Sequence, residues 1–186
     1  SKRSTTREHV MPGWLQNRLN LWDKQLELLN GSMIPYRQLV IPCCRSCNSD
    51  YLAPIEEEIS SALSVGPSAI ADLSEITLFQ WLGKIFYGIL FRELSLRSDR
   101  SDPASISIVP ESTMRRYDLH HLFLQSSRIP FNFQPGVPAS TFVFRVQVPS
   151  EEALRFDLRD DLDNLAIALR LGDTGILASL QDGRAM

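Results

Sequence analysis

The segment from 76 to 94 constrains the fold most strongly, because large apolar side chains recur there on nearly every side of a helix. These residues are Ile76, Leu78, Phe79, Trp81, Leu82, Ile85, Phe86, Ile89, Leu90 and Leu94. A helix that is apolar nearly all round has to be buried. Asp72 or Ser74 can cap its start, and we expect it to run to about Leu96 as the spine of a domain.

Near the C-terminus the pattern changes to an alternation of apolar and polar residues, which favours half-buried strands. One face of the first strand carries Phe142, Phe144, Val146 and Val148, and later strands cover 165–171 and 176–180. The segment 172–175 has the composition of a hairpin turn. We therefore expect an antiparallel sheet and an α+β fold.

An acidic cluster and a histidine pair in this half of the chain are not predicted to bind a metal ion. The acidic residues Asp157, Asp160, Asp161 and Asp163 lack the alternation and distal Glu of a calcium loop, so they predict a solvated turn. A second helix is expected from about Ser112 to Ser126. Its adjacent histidines, His120-His121, lack ligand spacing and are interpreted as structural or surface residues.

Composition limits the class of protein. With 186 residues, 44% hydrophobic and 22% charged, the chain fits one sizeable domain or two small ones. A formal net charge of −3 gives no global attraction to nucleic acid. The three cysteines lie within five positions, which excludes a spread disulfide framework. Charged residues interrupt the apolar stretch, so we expect no membrane partner and a cytoplasmic location.

Two short motifs near the N-terminus carry chemically active side chains. The first is Glu8-His9, followed by Pro12, and the second is the Cys-Cys-Arg-Ser-Cys-Asn run at 43–48. An imidazole is the usual proton acceptor at neutral pH, and carboxylate and carboxamide oxygens suit Mg²⁺ or Mn²⁺. Neighbouring side chains of a strand point to opposite faces, so the backbone must twist, bulge or turn if Glu8 and His9 meet at one ion. We expect the pair at a strand end or in a loop.

These motifs resemble those of the HNH endonucleases, which have the ββα-metal fold. The similarity rests on Glu8-His9 with Pro12, and on Pro42 with Cys44-x-x-Cys47-Asn48. It covers roughly residues 5 to 60, about a third of the chain. The remainder has no counterpart in the resemblance.

The resemblance implies a role for each matching residue. Glu8 and Asn48 would hold one divalent ion, Mg²⁺ or Mn²⁺, and His9 would take a proton from the attacking water. The family also has an Asn or His that orients the base, and Gln38 is the nearest candidate for that position. Hydrolysis of DNA phosphodiester bonds would follow, leaving 5′-phosphate and 3′-hydroxyl ends. RNA stays open as a substrate.

The cysteine run matches only part of the family pattern. Members that end in this way usually carry a second cysteine pair before the acidic residue and histidine, so that four thiolates hold a structural zinc. Cys44 and Cys47 supply half of that set. Either an upstream pair lies outside this chain, or packing alone holds the turn.

Arginines near the two motifs are candidate contacts for substrate phosphates. They are Arg3, Arg7 and Arg45. The competing interpretation is that they are solvated surface side chains.

Between the motifs, helical spacing predicts an inserted helix. Its apolar residues are Leu15, Leu19, Trp22, Leu26 and Leu29, and Asn30-Gly31 supplies the stop. Further on, Pro54 predicts either a very short helix after Asn48 or a fresh helix that begins near Pro54. Glu56, Glu57 and Glu58 would then lie in its first turn.

The sequence thus predicts an HNH-like ββα-metal module at 1–62, a connector at 63–74 and a helix-plus-antiparallel-sheet domain at 75–186. We expect a metal-dependent endonuclease whose second domain binds substrate, a protein partner or another copy of the chain. Family analogy suggests defence against foreign DNA. The alternative is a catalytically inactive HNH-like module that binds nucleic acid or protein, and a third interpretation is a pure scaffold.

Overall fold

The computed structural model describes residues 5–94, 96–109, 112, 125–129, 133, 136–147, 149–162 and 164–183. Several expectations fall outside these ranges, namely those for Arg3, Val148, Asp163, His120-His121 and most of the segment 112–126. Helices and antiparallel sheets occur together, so the α+β prediction is confirmed.

Helices and strands alternate irregularly along the chain. The helices are α1 (Gly13–Arg18), α2 (Ala53–Val65), α3 (Pro67–Ala71) and α4 (Glu75–Leu94). The strands are β1 (Thr5–His9), β2 (Gln25–Glu27), β3 (Met33–Pro35), β4 (Val40–Cys44), β5 (Ser140–Arg145), β6 (Phe156–Asp161), β7 (Ala166–Leu171) and β8 (Thr174–Ser179). They form two antiparallel pairs, β1-β4 and β2-β3, and an antiparallel sheet of order β5-β8-β7-β6.

Helix α4 is the buried spine that its sequence predicts. Phe79, Trp81 and Phe86 are each 1% exposed. Ser74 caps the helix, because its Oγ accepts a hydrogen bond of 3.1 Å from the Thr77 backbone N–H. One hydrophobic cluster joins α4 to side chains of the N-terminal motifs, of α2 and of the strands β7 and β8. That cluster crosses the segment 63–74, which is itself largely helical.

The inserted helix predicted between the motifs is wrong beyond its first turns. Helix α1 ends at Arg18, and Asn20 takes a left-handed φ of 53°. The chain then forms the β2-β3 hairpin, in which Asn30-Gly31 lies in the turn and Gly31 has φ 74°. Asn-Gly suits a tight hairpin turn as well as a helix stop, so the stop signal was ambiguous. Trp22 lies beyond the end of α1, so it is not on the buried face of a helix, and it is 50% exposed.

The predicted α-helix near Pro54 is present, but it is not a fresh start, because helical backbone continues into it from Cys47–Leu52. Helix α2 begins at Ala53, with Pro54 in its first turn and Glu56 at the favourable N-terminal end. A π-helical segment, Cys47–Leu52, leads directly into it.

In the C-terminal sheet, the predicted hairpin joins β7 to β8, and Gly172 turns with φ 67°. The predicted acidic turn is wrong: Asp157, Asp160 and Asp161 belong to strand β6. Phe142 and Phe144 share a face, yet they are 48% and 50% exposed. Val143 therefore points the other way, toward the hydrophobic cluster.

Candidate active site

The two strands that carry the motifs pair in a regular antiparallel register. Glu8 lies opposite Ile41, and His9 lies opposite Val40 at the end of β1. The prediction that the pair lies at a strand end is thus confirmed. The pairing shows no bulge between Thr5 and His9, so Glu8 and His9 project to opposite faces of the two strands.

Glu8 belongs to a buried ionic cluster between β1, α2 and α4. The Lys84 ammonium, 4% exposed, donates to Glu8 Oε1 and to Glu56 Oε1. Burial raises the pKa of Glu56, and the Lys84 charge opposes that rise. A buried carboxylate needs such a partner, because an uncompensated charge in the interior costs several kcal/mol.

His9 lies on the other face and lines an open cleft of about 870 Å³. The cleft also contains Arg7 and Gln38, which the sequence had proposed for phosphate contact and for orienting the base. Two further arginines join them: Arg37, from the 3₁₀ turn Tyr36–Gln38, and Arg92, from the last turn of α4. The structure thus gathers an imidazole and three guanidinium groups around one concave surface.

Gln16 of α1 contacts the His9 ring. Gln16 Nε2 lies 3.4 Å from His9 Nδ1 and donates a 2.7 Å hydrogen bond to the Met11 carbonyl. Gln16 is fully buried, so its amide is a fixed support for the ring. The orienting role that the resemblance assigned to Gln38 therefore has a structural candidate in Gln16.

The cysteine turn is closed by a disulfide between Cys44 and Cys47. Cysteine binds zinc as the thiolate, so this pair can bind zinc only after reduction. Asn48 is half-buried in the π-helical segment that follows, and Arg45 is exposed beside the turn. The remaining thiol, Cys43, shares the strand face of Glu8, and burial together with the Glu8 charge raises its pKa.

The donor atoms of two side chains named by the resemblance suit a hard divalent ion. Glu8 and Asn48 both offer oxygen, and Mg²⁺ is commonly held by one or two carboxylates together with water and substrate phosphates. Across the described ranges, no three His, Cys, Asp or Glu side chains gather as a metal-binding group. The Lys84 ammonium already neutralises Glu8, so an ion at Glu8 requires Lys84 to move.

Sequence reasoning found His9, Arg7 and Gln38 of the cleft but missed Gln16, Arg37, Arg92, Lys84 and Glu56. Lys84 is 76 positions from Glu8, and no local pattern links them. One signal was available: Lys84 is a charged residue within an almost entirely apolar helix, and such a charge needs a buried partner.

Comparisons with known proteins found no matching family model, no matching curated protein and no matching solved structure. Among the described residues, every helix is too short or too polar to cross a membrane.

Proposed function

We propose that this chain is a divalent-metal-dependent endonuclease that hydrolyses phosphodiester bonds of DNA. The observation that supports this most directly is the position of His9 at the end of β1, in an open cleft with Arg7, Arg37 and Arg92. An imidazole can accept a proton at neutral pH, and guanidinium groups bind phosphate oxygens.

In the proposed reaction, the arginines bind the backbone phosphates and bring the scissile phosphorus in front of His9. His9 accepts a proton from an attacking water, and the 3′ oxygen departs, leaving a 5′ phosphate. Gln16 keeps the imidazole ring in place through its contact with Nδ1. Mg²⁺ or Mn²⁺, held by Glu8 and Asn48, would stabilise negative charge on the phosphate and the leaving oxygen, and this requires the end of β1 to twist so that Glu8 and His9 reach the same ion.

Nicking of supercoiled plasmid tests this proposal. The wild-type protein should nick DNA in Mg²⁺ or Mn²⁺ and should stop when chelator is added. His9→Ala should lose about two to four powers of ten in rate, which is the usual contribution of a general base. Exposed Arg145 lies on β5 outside the cleft, so Arg145→Ala is the matched control and should retain the rate. Nicking that survives both chelator and His9→Ala would contradict the proposal.

A second candidate function is binding without catalysis, as an inactive HNH-like module. The pairing of Lys84 with both Glu8 and Glu56 favours it, because both carboxylates already have a cationic partner without a metal. The Cys44–Cys47 disulfide likewise leaves no thiolate pair for zinc. Tight DNA binding with no metal-dependent nicking would favour this candidate. A cytoplasmic location and a role in defence against foreign DNA stay predictions.

A further inference from the structure

We propose that Arg37 and Arg92, together with Arg7, form a nucleic-acid-binding wall that holds successive backbone phosphates across the His9 cleft. This inference rests on the proposed function for its substrate class, and it deepens that function by assigning two contact residues that the motifs do not contain.

The charge of the residues that line the His9 cleft supports the inference. Among the residues that the structure describes, the charged or titratable side chains of this lining are Arg7, His9, Arg37 and Arg92, and no Asp or Glu is among them. The chain as a whole has a net charge of −3, so this surface concentrates positive charge against the overall balance. Clefts lined by one sign of charge focus the field and raise the local concentration of ligands of opposite sign.

Arg37 is held in place by its neighbours. Its Nη1 donates to the Trp22 carbonyl at 2.8 Å and also to the Asp23 carboxylate. Asp23 is 85% exposed, so water and salt screen its attraction for the guanidinium. A guanidinium has five N–H donors, and those not used by Trp22 and Asp23 can bind phosphate.

The three guanidinium groups come from separate elements: strand β1, the turn before β4, and the end of α4. Groups spread in this way suit successive phosphates of a chain better than a single free phosphate. The cleft volume of about 870 Å³ lies within the range of known ligand sites and admits more than one nucleotide. The end of α4 would thereby join the N-terminal motifs in one binding surface.

Fluorescence anisotropy in chelator tests the inference, because binding is then measured without cleavage. The probes are a short labelled duplex and one of its single strands, titrated over a range of salt, with inorganic phosphate as a competitor. Arg37→Ala and Arg92→Ala should each weaken binding several-fold. Each should also reduce the slope of log affinity against log salt by about 0.9 for duplex or 0.7 for single-stranded DNA.

Arg37→Lys keeps the charge and should retain most of the slope, and Arg145→Ala should change neither quantity. Thermal unfolding confirms that each variant is folded. Binding by the wild type with unchanged affinity and slope in both Arg→Ala variants would overturn the inference. So would competition by inorganic phosphate as strong as by DNA, since that indicates a small-anion site.

The inference and the proposed function fail separately. If DNA binding depends on the arginines but nicking does not depend on metal and His9, the nuclease proposal is contradicted and the arginine wall is supported. If nicking is normal but DNA binding does not depend on the arginines, the arginine wall is contradicted and the nuclease proposal is supported. A wild-type protein that binds neither probe would overturn both.

Discussion

Glu93 shows how burial changes the acid–base behaviour of one side chain. It is 2% exposed near the end of α4, and its Oε1 accepts a 3.2 Å hydrogen bond from the Leu29 backbone N–H. Burial raises its pKa to about 7, against the smaller opposing effect of that hydrogen bond. The folded state therefore binds this proton more tightly than the unfolded state does.

This shift makes stability depend on pH. Below the unfolded pKa of 4.5, Glu93 is protonated in both states and carries no penalty. The penalty grows as pH rises from there and is complete above about pH 7. Glu93→Gln should therefore raise the free energy of unfolding at pH 8 by about 2 kcal/mol, a value discounted for screening, and leave it nearly unchanged at pH 4. Urea unfolding across this pH range measures the effect, with exposed Glu151→Gln as control. Equal stabilisation at both pH values would contradict the explanation.

Gln16 gives a second prediction at the scale of one residue. Gln16→Met keeps the volume of the side chain but removes the contact with His9 Nδ1. If the proposed function holds, kcat should fall about ten-fold with KM little changed, and the pH–rate profile should shift, because the imidazole loses its support. Single-turnover nicking over a pH series checks this. Gln38→Met is the comparison variant, and a larger loss there would favour the orienting residue that the sequence resemblance suggested.

At the scale of elements, α4 and β1 meet at a glycine. A Cβ added at Gly88 would lie 2.6 Å from Val10 Cγ2, next to the end of β1 that carries His9. Gly88→Ala should therefore destabilise the protein by about 1–3 kcal/mol, more than the helix propensity of alanine restores. Thermal denaturation measures the loss. Gly13→Ala is the matched control, because its Cβ would meet nothing within 4 Å. A Gly88→Ala variant as stable as the wild type would contradict the close packing.

The ionic cluster joins three elements through one lysine. Lys84→Met removes the cation and leaves one buried carboxylate, Glu8, and one partly buried carboxylate, Glu56, so we expect a loss of about 3–5 kcal/mol. Adding Glu8→Gln and Glu56→Gln to the same chain should recover much of that loss, because the uncompensated charges are gone. Chemical denaturation of the two variants compares them. A Lys84→Met variant with wild-type stability would contradict the buried pairing.

At the scale of the whole molecule, the sequence predicts best what depends on local periodicity. The extent of α4, the Ser74 cap and the β7-β8 hairpin follow from short-range patterns. The segment after α1 could not be predicted in this way, because Asn30-Gly31 fits a hairpin turn and a helix stop equally well.

The residues of the candidate site likewise fall into those that a local motif identifies and those that only the folded structure brings together. His9 and Arg7 were identifiable because they belong to a short motif. Gln16, Arg37, Arg92 and Lys84 were not, because only the folded chain brings them to the motif. The resemblance also assumed that Glu8 and His9 face one ion, whereas regular pairing of β1 with β4 sends them to opposite faces.

Anomalous diffraction from crystals grown in Mn²⁺ tests the central claim most directly. The account predicts a manganese peak within bonding distance of Glu8 and Asn48, with the Lys84 ammonium moved away from Glu8. Crystals of Glu8→Gln should lack that peak. A wild-type structure in saturating Mn²⁺ that has no peak at Glu8, and in which Lys84 still joins Glu8 to Glu56, would contradict the claim.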